Sequence, residues 1–408
     1  MKILIPNATS PRNVGDREMT DILLSMLKET FPKAEITMYS FDPALMKKET
    51  GLNVTHSLYS YTAFQDTSFW MRVKRALHLV YVIVLIRSSL PLVVFDDFIK
   101  KMIVEYRQAD LIVFAPGGYI RSQQGVKQAI NLLMQLLPFY LSKLTKAKTL
   151  VAPISLGPFF AKWQVNLACR ILHSMDTVIA REKITCTLLK RNGAKNVRLS
   201  TDLALLRTSK KKKKMQDSRT IGFTIRPWST TENHKRVLEC LVDAFVKLAK
   251  NEHIVIRPIV QVHAPAYGED DSACAKEVVS RLRKKGAKVL PTFYVARMKH
   301  PSNAYRELDL LVGMRMHSNI IAATSGVPFV AIAYEYKTNG ISTQLDNAEY
   351  VIDFDNVTAE RLYKLIKKAY VKKNKLRKKI AQALERLQIT EETRIIPEMT
   401  MVMPPIQI

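Results

Sequence analysis

Short apolar runs alternating with stretches of helical spacing constrain this chain more than any other feature. The first series reads KILIP (2–6), EITMYS (35–40), DLIVFAPGG (110–118), TLVAPISLG (149–157), DTVIAR (176–181) and NVRLS (196–200), mostly with helical patterns between. Met19, Ile22, Leu23, Met26 and Leu27, for example, share one helix face. Apolar runs without polar alternation belong to parallel strands covered by helices on both faces. At 208–218, TSKKKKKMQDS, the pattern stops, because five consecutive lysines repel one another and stay solvated. A second series follows: TIGFTIRP (220–227), a helix over 231–249, HIVIRPI (253–259), a helix over 271–285, AKVLP (287–291), LDLLVGM (308–314), a helix over 316–325 and PFVAIAY (328–334).

Two α/β domains follow from this, and 408 residues exceed what one hydrophobic core ordinarily supports. The expected parts are a Rossmann-like domain over 1–207, a lysine-rich linker over 208–218, a second Rossmann-like domain over 219–357, and a basic helix and tail over 358–408. Two such domains facing each other across a cleft give the GT-B-like layout, in which ligands collect beyond the carboxyl ends of the strands.

Polar clusters fall at those ends. Asn13, Gly15 and Asp16 form a turn between the first strand and its helix. Backbone N–H groups at such a turn can hold an anion or a sugar hydroxyl, although Asp16 could equally cap the helix. Gly117 and Gly118 follow a buried strand, where a bare backbone lets a ligand approach. No G-K-[ST] and no G-x-G-x-x-G accompanies them, which excludes the P-loop and dinucleotide readings. Arg181 and Arg226 each end a strand and offer forks for carboxylate or phosphate. The densest cluster is LLVGMRMHSNIIAATSGVPFVAIAYEYK (310–337). It sets Gly313, Met314, Arg315, His317 and Ser318 where a strand gives way to a helix, with Glu335 and Lys337 after the next strand. His317 can give or accept a proton near neutrality. The acidic pairs Asp96–Asp97 and Asp270–Asp271 stand where helix caps and loops are expected, and no metal is called for.

These motifs resemble the polysaccharide pyruvyl transferase family over roughly 1–345: NVGD (13–16), APGGYI (115–120), ARE (180–182), TDLAL (201–205), DLLVGMRMH (309–317), and GVPFVAIAYEYK (326–337). The chain departs from the family pattern in having two glycines where three are common, followed by Tyr119 and Arg121. The resemblance implies a GT-B-like enzyme that takes phosphoenolpyruvate as donor and attaches its pyruvyl group, as a ketal, to a sugar of a surface polysaccharide or its lipid-linked precursor. It implies Arg315, His317 and Lys337 as catalytic groups, with His317 the general acid, Lys337 facing the departing phosphate and Arg315 gripping the donor. Arg181, Arg226, Gly313, Met314 and Ser318 fall on the donor side. Asn13, Gly15, Asp16, Gly117, Gly118 and Glu335 fall on the acceptor side, Asp16 and Glu335 being candidate bases. No cofactor beyond the donor substrate is implied. The alternative is a GT-B-type glycosyltransferase using a nucleotide sugar, which would need an acidic residue for the donor ribose in the second domain.

The formal net charge of +27 makes an anionic partner the expectation. Helix-turn-helix, RNP and zinc patterns are missing, which excludes the common nucleic-acid binders. Cys169, Cys186, Cys240 and Cys274 are far apart, and the first apolar run is too short for a signal peptide, so a reduced, cytoplasmic chain is expected. The stretch 76–95 is interrupted by Arg87 and Pro91, leaving about half of the ~20 apolar residues a spanning helix needs. With Trp70, Arg72, Lys74 and Arg75 ahead of it, and a lysine-faced helix over 358–388, peripheral contact with an anionic membrane surface is expected.

Overall fold

A computed structural model describes residues 1–62, 96–207, 218–227, 231–264 and 269–401, with a few isolated positions between 68 and 81. The lysine run at 210–214 and most of 63–95 lie outside the described residues.

The chain divides into two compact units. One holds Met1–Pro11, Met19–Leu203 and the end of the chain from Glu392; the other holds Arg12–Glu18 and Ala204–Glu391. The turn that follows the first strand is thus grouped with the second unit, not with the first as its position in the sequence implied.

In the first unit β1 (Lys2–Ala8), β2 (Glu35–Ser40), β3 (Asn53–His56), β4 (Leu111–Phe114), β5 (Lys148–Ile154), β6 (Thr177–Ala180) and β7 (Val197–Leu199) form one sheet. Its order is β3-β2-β1-β4-β5-β6-β7, and every pairing is parallel. β4 is buried at all four positions, which explains its unbroken apolar sequence. Phe114 on β4 stacks on Phe139 of the helix Val126–Ser142 at 3.9 Å between ring centres. Asp96 caps the helix Asp97–Gln108 by accepting from the Ile99 N–H at 3.1 Å, the cap its sequence position predicts.

In the second unit β8 (Thr220–Thr224), β9 (Val255–Val260), β12 (Phe293–Tyr294), β13 (Leu310–Gly313), β14 (Phe329–Ala333) and β15 (Val351–Asp353) form a parallel sheet of order β12-β9-β8-β13-β14-β15. β10 (His263–Ala264) and β11 (Glu269–Asp270) make a small antiparallel ribbon beside it. The predicted strand AKVLP contributes only an isolated bridge between Val289 and Ile256.

The predicted helix over 358–388 is two helices, Ala359–Val371 and Lys373–Met401, parted at Lys372. Leu362, Tyr363, Ile366, Ala369 and Leu376 join the core of the second unit, so up to Glu391 this segment is a structural part of that unit and not an appended tail. Several of its lysines meet carboxylates: Lys364 meets Glu360 at 3.5 Å, Lys367 meets Glu252 at 2.7 Å, and Lys368 and Lys379 meet Glu349 at 3.1 and 3.8 Å. The four cysteines are free thiols. Among the described residues no helix is long and apolar enough to cross a membrane.

Candidate functional site

In both sheets the strand order reverses direction once, between β1 and β4 in the first unit and between β8 and β13 in the second. Loops on either side of such a point leave toward opposite faces and open a crevice at the carboxyl edge. In the second unit Arg226 lies two residues past β8 and Arg315 two residues past β13, so two guanidinium groups flank that point.

Arg315 sits at the N-cap position of the helix Met316–Thr324. Its guanidinium meets Asp271 in a two-pronged pair, with Nη2 at 2.5 Å from Oδ1 and Nε at 3.2 and 3.1 Å from the two oxygens. The Asp271 side chain is fully buried and that of Arg315 is 12% exposed. Asp271 Oδ2 also accepts from the Val262 N–H at 3.1 Å. Burial pushes the Asp271 carboxyl above its ordinary range, while Arg315 pulls it back down. Asp271 is the functional residue that the sequence conceals. As half of an acidic pair it reads as a cap, and no local signal shows that it meets an Arg 44 residues later.

A relay holds the neighbouring Asp270. Arg297 has only donors, so the 2.7 Å contact of its Nη2 makes His263 Nε2 an acceptor, and Nδ1–H donates to Asp270 Oδ1 at 3.0 Å. Asp270 also accepts from the Ser272 N–H at 3.0 Å and from its hydroxyl at 2.6 Å. The acids thus anchor the start of the helix Ser272–Lys284 and the Arg315 fork. Among the described residues no cluster of metal-ligating side chains occurs.

Three residues placed on the donor side by sequence do other work. Met314 is buried in the hydrophobic core, and its N–H donates to Thr224 O at 3.2 Å. Ser318 is fully buried; its hydroxyl gives its one proton to Arg315 O at 2.6 Å, so it accepts from Thr224 Oγ1 at 2.7 Å. That bridge ties the end of β8 to the turn carrying Arg315. Gly313 leaves room for Asn319, whose Nδ2 donates to the Gly313 carbonyl at 3.2 Å; a Cβ there would lie 1.8 Å from Asn319 Oδ1. All three shape the turn that carries Arg315.

Arg226 lies over the Tyr334 ring at 4.7 Å, a partner that the sequence reading missed, and its Nε donates to Pro227 O at 3.3 Å. Tyr334 directly follows β14, the neighbour of β13. Lys337 is not at a strand end: it lies buried in the first turn of the helix Tyr336–Gln344, which packs on Met316–Thr324. Glu335 occupies the N-cap position of that helix without a side-chain capping bond.

Gly15 explains why the N-x-G-D turn belongs to this unit. A Cβ on Gly15 would stand 2.2 Å from Cγ and Nδ1 of His317, so only a glycine lets the backbone lie against the imidazole. Asn13 Oδ1 accepts from the Gly15 N–H at 3.1 Å, and Asn13 bridges to Val262. Arg17 donates to the carbonyls of Ala296 (3.3 Å) and Met298 (2.9 Å). Asp16 lies within the first helical turn and is therefore not the cap.

In the first unit Gly117 has a φ of +148° and hydrogen-bonds both Pro153 and Ser155 beyond the carboxyl end of β4, with Gly118 after it. Asn7 Oδ1 accepts from the Ala115 N–H at 2.8 Å and fixes that loop. Arg181 is not an open fork. It is buried, with Nη1 at 2.9 Å from Asp202 and Nε donating to Ser155 Oγ at 2.9 Å, so a carboxylate of its own unit already takes its charge.

Two Rossmann-like units, one with cationic side chains at its switch point, define an α/β protein of GT-B-like fold. The chain belongs to the polysaccharide pyruvyl transferase family, whose model matches residues 13–336. No curated protein matches it. Solved structures with the same fold include a putative UDP-N-acetylglucosamine 2-epimerase from Listeria monocytogenes, at 12% identity and TM-score 0.57 over 94% of this chain and 91% of that one. Another is the UDP-GlcNAc 2-epimerase from Neisseria meningitidis bound to UDP-GlcNAc, at 9% identity and TM-score 0.53 over 97% and 100%. A third is a glycosyltransferase from Rickettsia africae, at 12% identity and TM-score 0.51 over 97% of each chain.

Proposed function

We propose that the protein transfers the pyruvyl group of phosphoenolpyruvate to a saccharide as a ketal. The observation that carries this reading is that Arg226, Arg315 with His317, and Lys337 follow the adjacent strands β8, β13 and β14 of one sheet, with Asp271 orienting one fork. Phosphoenolpyruvate presents a carboxylate and a phosphate, so it needs two cationic grips at once. Arg315, pre-oriented by Asp271, takes one end and Arg226 the other. Lys337 offsets charge on the departing phosphate.

His317 gives its proton to the CH2 terminus of the enol, leaving C2 electrophilic. One sugar hydroxyl attacks C2 and loses its proton, and the C2–O bond to phosphate breaks. A second hydroxyl then closes the ketal and loses its proton; of the two hydroxyl protons one restores His317 and the other goes to the phosphate, so the pyruvyl group ends on the sugar and inorganic phosphate is released. Asn13, Gly15, Asp16, Gly117, Gly118 and Glu335 serve the acceptor, Asp16 and Glu335 as bases for its hydroxyls. No cofactor takes part.

The test is calorimetric titration with phosphoenolpyruvate and, separately, with UDP and GDP sugars, using wild type, Arg226→Ala and His317→Gln. Binding of phosphoenolpyruvate, weakened about tenfold in Arg226→Ala by loss of a charge-assisted pair, with His317→Gln binding but not transferring, supports the reading. The similar folds include epimerases named for UDP-GlcNAc. Binding of a nucleotide sugar without phosphoenolpyruvate would therefore replace this proposal with a glycosyltransferase.

A further inference from the structure

Between Asp110 and Asp176 the chain carries no Asp or Glu, while residues 111–175 hold seven lysines and arginines. Two helices of this stretch, Val126–Ser142 and Lys162–His173, pack side by side after the neighbouring parallel strands β4 and β5. Their N-terminal ends therefore lie at the same, carboxyl edge of the first unit's sheet. Gln164 Nε2 donates to Ser122 Oγ at 3.1 Å, and the Ser122 N–H donates to Pro158 O at 3.0 Å, fixing the two helix starts together.

Apolar side chains stand in water there. Val126, Ile130 and Leu133 are exposed at helical spacing, although Leu132, Leu136 and Phe139 on the other face already fill the core. Beside them Phe160 is 61% and Trp163 48% exposed. Arg121, Lys127 and Lys162 are exposed around the same helix starts. A monomer rarely keeps such a cluster in water without a use for it.

We propose that this face docks the protein on an anionic lipid bilayer, Phe160, Trp163 and the aliphatic stripe entering the headgroup region while Arg121, Lys127 and Lys162 meet lipid charge. Aromatic rings amid lysines, with no acid to repel the lipid, suit that boundary. A second copy of the chain suits it less, because an isologous contact would set the same positive charges against each other. The lysine face of Ala359–Val371 is the weaker contender, since glutamates already answer it. Docking here would hold the loop of Gly117 and Gly118, which leads into the first of these helices, close to the lipid surface.

The experiment is co-sedimentation of the full chain with phosphatidylcholine vesicles, with and without phosphatidylglycerol, at low and high salt. Wild type is expected to bind the anionic vesicles and to release at high salt. Each of Lys127→Gln and Lys162→Gln should weaken partitioning about fivefold, and Phe160→Ser/Trp163→Ser should weaken it further with an unchanged melting temperature. In a Trp70→Phe/Trp228→Phe background, emission from Trp163 should shift to the blue on binding. Absence of binding, or equal binding by all variants, overturns the proposal. So does a concentration-dependent oligomer dissolved by Phe160→Ser/Trp163→Ser, which would assign the face to a second copy.

Discussion

Asp271 and Arg315, 44 residues apart, form a two-pronged ion pair in which the carboxylate is fully buried and the guanidinium keeps an edge in solvent. The pair makes Arg315 both a part of the fold and the central cation of the site. Removing both partners together is therefore expected to cost less than the two single removals added.

Asp271→Ala and Arg315→Ala should each destabilise the second unit by about 3 kcal/mol, because each leaves a charge without its partner in a poorly hydrated place. Asp271→Ala/Arg315→Met should cost clearly less than their sum. Urea unfolding of the three variants measures the coupling, and additive losses would show that the pair contributes nothing to the fold.

Gly15→Ala sets a methyl group against the His317 ring. The shift it forces should cost about 1–3 kcal/mol and displace the imidazole. Transfer should fall more than donor affinity, which a comparison of single-turnover rate with calorimetric Kd would reveal. A full transfer rate in Gly15→Ala would remove His317 from the chemistry.

Arg181→Ala should lose about 3–5 kcal/mol of stability by removing the cation paired with the buried Asp202. Donor affinity, measured below the lowered melting temperature, should stay unchanged. If instead affinity falls and stability holds, Arg181 is a donor fork after all.

Asp270 is subject to burial, which alone would raise its pKa. Hydrogen bonds from Ser272 and the His263 contact outweigh that and leave it lowered. A carboxylate lowered on folding contributes stability above its unfolded value, near 3.9, and loses that contribution as pH falls through the folded value. Asp270→Ala should therefore be less stable than wild type by about 1 kcal/mol at neutral pH, with the gap closing below about pH 4. Denaturation at several pH values gives the curve, and a gap that widens on acidification would reverse the assignment.

Much of this architecture was legible beforehand. The strands β4, β8, β13 and β14 announce themselves because burial on both faces demands uninterrupted apolar residues, and that demand is written locally. The positions of Arg226, Arg315 and His317 past strand ends were legible for the same reason. The break at Lys372 was not, because both helices share the same apolar spacing and a single residue parts them. Ser318 and Met314 were misplaced because adjacency to Arg315 in sequence says nothing of which way a side chain turns at a helix start.

By itself the sequence determined two α/β units, the order of their strands along the chain, and the motif block that marks the family. Only the tertiary structure decided that Asp271 answers Arg315, that Asp202 closes off Arg181, and that Gly15 lies against His317. Periodicity and turn chemistry act over a few residues, so a chain displays them directly. Charge pairing and close backbone approach act through space, and their partners are chosen by crossovers that bring distant strand ends to one edge of a sheet.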